Sequence, residues 1–155
     1  MQSDLELSPI GNCQVSTLVA SEGAFVWGCV PRVDGDPVFC SLLNDNARDR
    51  GIWRFELEGQ ARSSQRYERN TAILVTRLEA DDGSAVEIHD FAPRFERSGR
   101  MYRPVAYARI VRPVAGAPRL RTVRYESSAT SPIRIACTPP GVSAISSQSV
   151  STSLT

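Results

Sequence analysis

Short runs of alternating apolar and polar residues, broken by turn residues, fill most of this chain. Residues 51–57 set the pattern, with Trp53, Phe55 and Leu57 in one phase and Arg54 and Glu56 in the other. Strict alternation of this kind marks a half-buried antiparallel strand. Residues 71–78 form a second strong strand, bounded by Asn70 and by Asp81-Asp82-Gly83. Asp-Gly is a strong hairpin signal, and the partner strand runs over 84–91 with Val86 and Ile88 apolar. Residues 13–20 and 24–30 read as two strands joined at Ser21-Glu22-Gly23, where Gly23 is free to take a positive φ. Residues 102–111 set Val105, Tyr107, Arg109 and Val111 against Ala106, Ala108 and Ile110, and 119–125 alternate basic with apolar side chains. Gln65-Arg66-Tyr67 begins a weaker strand, and Leu42-Leu43 is too short for more than one helical turn. Residues 44–51 are a polar loop, Ser98-Gly99-Arg100 a turn, and 113–118 a connector.

No window of eleven or more residues carries a helical period. The fold class is therefore all-β, an antiparallel β-sandwich, with incompleteness at the C-terminal end left open. Residues 1–9 are a polar lead-in, 10–126 the sandwich, and 127–155 a divergent end rich in Ser and Thr. That end is expected to be partly ordered or a truncated strand region, and its last dozen residues read either as poorly ordered or as a strand lacking its partner. An open sheet edge of that kind invites self-association.

At 155 residues the chain fits one domain with a sizeable core. The net charge of +1 argues against a nucleic-acid binder, which carries a strong basic excess. No window reaches the length of a membrane span. Residues 1–6 are acidic and lack the basic and apolar regions of a secretory leader, so the expected location is the cytoplasm. The four cysteines, Cys13, Cys29, Cys40 and Cys137, show no Cys-x-x-Cys spacing and share the chain with a single histidine. A structural zinc site needs about four clustered ligands, so neither a metal nor another cofactor is expected. The cysteines read as reduced, small apolar residues.

Candidate chemistry concentrates in residues 27–40, where an apolar run leaves the core at Pro31, carries Arg32, Asp34 and Asp36, and returns at Pro37. Charged residues on a short loop between apolar strands are typical of a surface presented by a rigid scaffold. Asp34 and Asp36 are the most prominent carboxylate pair. An inverting glycosidase holds its two carboxyls about 6.5–9.5 Å apart across a sugar, which a flexible turn does not do. They read as turn residues, or as contacts to a partner or sugar.

Several further motifs keep a shared order. They are Ile10-Gly11-Asn12-Cys13, Val26-Trp27, Pro31-Arg32-x-Asp34-x-Asp36-Pro37-Val38-Phe39, Leu42-Leu43, Gly51-x-Trp53, Tyr67-x-x-Asn70-Thr71-Ala72-Ile73-Leu74 and Asp90-Phe91-Ala92-Pro93-Arg94-Phe95. In this order, over residues 9–115, the chain resembles the start of family 15 glycoside hydrolases of the glucoamylase/trehalase type. The resemblance implies the family's non-catalytic N-terminal β-sandwich, packed in cis or in trans on an (α/α)6 barrel that bears the catalytic glutamates. Neither catalytic position has a match here, so the catalytic residues of this chain are none. Arg32, Asp34 and Asp36 become contacts to the barrel or to the rim of its active site. Relatives typically carry Arg-Phe-Asp-Ser where this chain has Arg32-Val33-Asp34-Gly35. The rival readings are a free-standing module that binds α-glucan, trehalose or a partner, and a truncated gene remnant.

The remaining candidates have plainer readings. His89, between Glu87 and Asp90, reads as a half-exposed histidine beside a carboxylate, since no Gly-x-Ser-x-Gly elbow accompanies it. Trp27 and Trp53 read as core residues rather than sugar platforms. Arg94, Arg97, Arg100 and Arg103 surround Gly99 and read as a solvated hairpin tip.

Overall fold

The structure is a computed structural model, and it describes residues 6–43, 51–125 and 143–148. Expectations placed on 1–5, 44–50, 126–142 and 149–155 lie outside the described residues. The described chain is built of β-strands and one short 3-10 turn. β1 (Leu7–Gly11), β2 (Ser16–Ala20), β3 (Phe25–Cys29), β5 (Ile52–Leu57), β12 (Arg119–Tyr125) and β13 (Ser143–Gln148) follow one another across the larger sheet, and β4 (Pro37–Phe39) pairs with β3. The smaller sheet runs β11 (Ala108–Ala115), β8 (Ala85–Phe91), β7 (Leu74–Ala80), β6 (Gln60–Tyr67). β9 (Phe95–Arg97) and β10 (Arg100–Tyr102) form a separate two-stranded ribbon. Every pairing is antiparallel except β12 with β13, which is parallel.

The two sheets meet face to face. One apolar cluster joins Ile10, Val19, Phe25, Phe39 and Trp53 of the larger sheet to Leu74, Ala92 and Tyr107. A second joins Phe55, Leu57 and Leu120 to Leu78, Val86 and Ile88. These are the phases that the alternation picked out, so the all-β sandwich stands. Phe25 is the hub, with its ring edge-to-face to Phe39, Trp53 and Tyr107 at centroid distances of 5.6, 5.4 and 5.7 Å. Such pairs add about 0.5–1.5 kcal/mol each beyond area burial.

A charged pair sits inside this core. Arg109 Nε donates to Asp90 Oδ1 at 2.7 Å and Nη2 to Oδ2 at 3.0 Å, with both side chains sealed from solvent. The guanidinium also donates to the carbonyls of Trp53 (2.8 Å) and Gly23, and it lies 4.0 Å from the Phe25 ring centroid. One side chain of the smaller sheet thus bonds β5 and the β2–β3 turn of the larger one. Burial pushes the Asp90 carboxyl up from its ordinary value, with the contacting guanidinium acting against that rise.

Element limits differ from the sequence expectations where edges and turns compete with pattern. β1 starts at Leu7, inside the expected lead-in, and contains Pro9. A proline is tolerated there because an edge strand leaves one side of its backbone unpaired. β11 likewise extends through Pro113 to Ala115, into the expected connector, because it too is an edge. It starts six residues later than expected because Pro104 and Ala106 are turned on themselves, Ala106 N donating to Pro104 O at 2.9 Å. β7 starts at Leu74 rather than Thr71 because Thr71 N donates to Glu68 O (3.1 Å), closing a turn through Asn70 at φ 60. β6 is longer than Gln65–Tyr67, since it begins at Gln60, and most of it is exposed. Its side chains stitch it to the larger sheet: Tyr67 Oη donates to Pro9 O (2.7 Å) and Gln65 Nε2 to Ala20 O (2.8 Å).

Candidate functional site

The loop between β3 and β4 carries the charged residues singled out in the sequence. Two strands pairing at Gly28–Phe39 and Cys29–Pro37 hold its ends together. Val30 N donates to Asp36 O (3.4 Å) and Gly35 N to Arg32 O (3.1 Å), so the loop closes in two nested turns. At the exposed tip Arg32 grips Asp34 with both arms, Nε to Oδ1 at 2.9 Å and Nη2 to Oδ2 at 2.8 Å. This pair neutralises itself, and in open solvent it adds little to stability. Asp36 is exposed and forms no ion pair among the described residues. Val33 is 56% exposed. Beneath the loop, burial pushes the Cys29 thiol up, and the carboxylates of Asp36 and Asp34 add to the rise. A thiol held protonated is a poor nucleophile, so Cys29 serves as packing.

The turn between β1 and β2 lies beside this loop and reaches it through Gln14, whose Nε2 donates to Pro31 O at 3.4 Å. Asn12 organises the turn and is 2% exposed. Its Oδ1 accepts from Gln14 N (2.9 Å) and Val15 N (3.1 Å). Its Nδ2 donates to Pro93 O (2.8 Å) and Pro104 O (2.9 Å), the two carbonyls that flank the β9–β10 ribbon. All four bonds of one amide are thereby used. The structure brings together, at one end of the sandwich, the 30–36 loop, the 11–15 turn and the arginine-bearing ribbon. Pattern alone gave Asn12 no role. The available signal was a polar residue with Asx-turn chemistry directly between two strand patterns. Asn12→Ala is expected to cost about 1–3 kcal/mol, the range for stranding buried polar partners. Amides of 95–102 then exchange faster by hydrogen–deuterium mass spectrometry, while those of β7 keep their relative protection.

The other candidates are not drawn into this end as a reactive set. His89 Nε2 stands 3.6 Å from Glu87 Oε2, and no serine bonds to it among the described residues. Trp53 is in the core at 1% exposure, and Trp27 is half-buried opposite Leu18. Tyr107 is locked by its hydroxyl, which donates to Ser16 O at 2.7 Å, and burial pushes its phenol well above the ordinary value. Cys13 and Cys29 are free thiols. Among the described residues no group of three or more His, Cys, Asp or Glu side chains is placed to hold a metal ion. Also among the described residues, no helix is long and apolar enough to cross a membrane.

A family model described as trehalase-like, N-terminal, covers residues 5–139 of the chain. No curated protein and no solved structure gives a significant match.

Proposed function

This chain belongs to the trehalase-like N-terminal family, and from that premise we propose that it is the non-catalytic β-sandwich of a family 15 glycoside hydrolase, of the glucoamylase/trehalase type. In this reading the sandwich packs on an (α/α)6 barrel that supplies the acid and the base. The Arg32–Asp34 pair and Asp36 lie against that barrel and shape the rim of its active site. The observation that carries the reading is the state of the most prominent carboxylate pair. Asp34 is already held by both arms of Arg32, and its neighbour Asp36 lies on the same short loop. An inverting mechanism needs one carboxyl free to protonate the leaving oxygen and a second, across the sugar, to activate water. With Asp34 held by Arg32 and both carboxyls on one turn, these two suit contact rather than acid–base work. The reduced thiol of buried Cys29 fits a reducing compartment, and the cytoplasm is the proposed location.

Purified chain incubated with trehalose and with maltooligosaccharides is expected to release no glucose above a blank. Glucose release that scales with protein concentration and disappears in Asp34→Asn or Asp36→Asn would overturn the reading.

A further inference from the structure

The ribbon at residues 93–104 is built unlike the rest of the surface. Its strands have three residues each and pair only with one another. Ser98 and Gly99 both have positive φ, 54 and 69, which makes a tight two-residue turn. The register sets Phe95 opposite Tyr102, Glu96 opposite Met101, and Arg97 opposite Arg100. Residues directly opposite in an antiparallel pair share a face, and alternation then places Phe95, Tyr102, Arg97 and Arg100 on one face together. The aromatic rings stack at 5.6 Å and 13°. They remain 48% and 43% exposed, and Met101 on the other face is 48% exposed.

Two features of this ribbon oppose its own stability. Like charges directly opposite across a hairpin repel, and among the described residues no carboxylate pairs with Arg97 or Arg100 to offset it. Several exposed arginines elsewhere do find glutamates: Arg62 with Glu79, Arg66 with Glu87, Arg119 with Glu58 and Arg121 with Glu56. None of Arg94, Arg97, Arg100 and Arg103 forms an ion pair among the described residues. The second feature is bare apolar area on a ribbon too short to be stable alone, held out by the Asn12 clamp at its base. Stacked rings, a methionine and arginines, presented rigidly, are the side chains enriched in the centres of protein–protein interfaces.

We propose that the 93–104 ribbon is a docking element for a protein surface that carries carboxylates beside an apolar recess. Arg97 and Arg100 take the carboxylates through charge-assisted bonds, and the Phe95–Tyr102 stack fills the recess. The charge of the ribbon calls for an anionic partner. The carboxylate of Asp36, exposed on the neighbouring loop and outside the Arg32–Asp34 pair, would repel a polyphosphate strand, whereas a protein surface accommodates mixed charge. This inference adds a contact distinct from the Arg32–Asp36 loop, and its test does not depend on glycoside chemistry.

The test uses the full chain with three labelled probes read by fluorescence anisotropy: polyglutamate, a random Glu/Tyr copolymer, and a dT oligonucleotide of matched length. The Glu/Tyr copolymer is expected to bind at least fivefold tighter than polyglutamate, and both tighter than the oligonucleotide. Arg97→Glu with Arg100→Glu is expected to weaken copolymer binding at least tenfold. Arg69→Glu with Arg112→Glu makes the same change in net charge on exposed arginines elsewhere and is expected to shift it less than twofold. Phe95→Ala with Tyr102→Ala is expected to remove the preference for the tyrosine-containing probe. All six side chains are exposed, so thermal melts of the variants should match that of the parent. If a melt falls, the Arg69/Arg112 comparison still separates ribbon contact from net charge. Equal losses in the two charge variants, or no binding of the copolymer at low salt, would overturn the proposal. Tighter binding of the oligonucleotide would overturn it in favour of a nucleic-acid surface.

Discussion

Asp90→Ala is expected to cost the fold about 3–5 kcal/mol, the range for breaking a buried ion pair from one side. The substitution leaves the Arg109 guanidinium sealed in the core with only the carbonyls of Trp53 and Gly23 to bond. An uncompensated buried charge is costly in a way that a lost surface pair is not. Arg109→Met is expected to act similarly, since it strands the Asp90 carboxylate and removes the donor to both carbonyls. The decisive comparison is the double variant Asp90→Leu with Arg109→Met. Replacing both partners by apolar groups is often neutral or stabilising, so the double variant should recover most of the loss. Two carbonyls remain without their guanidinium, and recovery should therefore stop short of the parent by about 1–3 kcal/mol. Urea denaturation measures all four states. A loss below about 1 kcal/mol in Asp90→Ala, on the scale of exposed pairs, would mean the pair is not the sealed unit described.

Phe25→Ala is the second large effect, at about 3–5 kcal/mol, the usual range for emptying a buried phenylalanine site. The ring has no solvent exposure and touches Phe39, Trp53 and Tyr107 edge-on. On its face lies the Arg109 guanidinium, so the substitution also removes a desolvated cation–π contact, about 2 kcal/mol where water is excluded. These losses overlap in the same atoms and will not add. Phe25→Leu keeps most of the volume and isolates the ring-specific part, so its loss should be clearly smaller. Equal denaturation midpoints for Phe25→Leu and Phe25→Ala would show that volume is irrelevant at this site, against the packing described.

The strands with one wet face were legible in the sequence. β5, β7, β8 and β12 alternate, and their apolar phases are the inner faces of the two sheets. β6 was shortened because it is polar on both faces and offers no period, while its place is set by side chains reaching the other sheet. The ends of β1 and β11 were misplaced by prolines, which break interior strands but not edges. The Arg109–Asp90 pair was legible in part. Arg109 falls in phase with Tyr107 and Val111, and Asp90 with Val86 and Ile88. A charge of each sign on the inner phase of two strands is a signature of a buried pair, but it becomes one only when those strands are known to be neighbours. The 30–36 loop was marked by its prolines and charges. Its association with the ribbon was not, because it depends on Asn12 and Gln14 bonding to residues distant in sequence.

Those long-range bonds govern when the fold can close. Arg109 reaches back 86 residues to Gly23, Tyr107 reaches 91 to Ser16, and Asn12 reaches forward 92 to Pro104. Non-local pairing of this kind slows folding, because loop-closure entropy must be spent before any contact forms. On a ribosome adding about 5–20 residues per second, the first three strands wait several seconds for the segment that seals them. The N-terminal hairpin thus emerges with Phe25 uncovered, and the chain acquires its core only once β11 has been made.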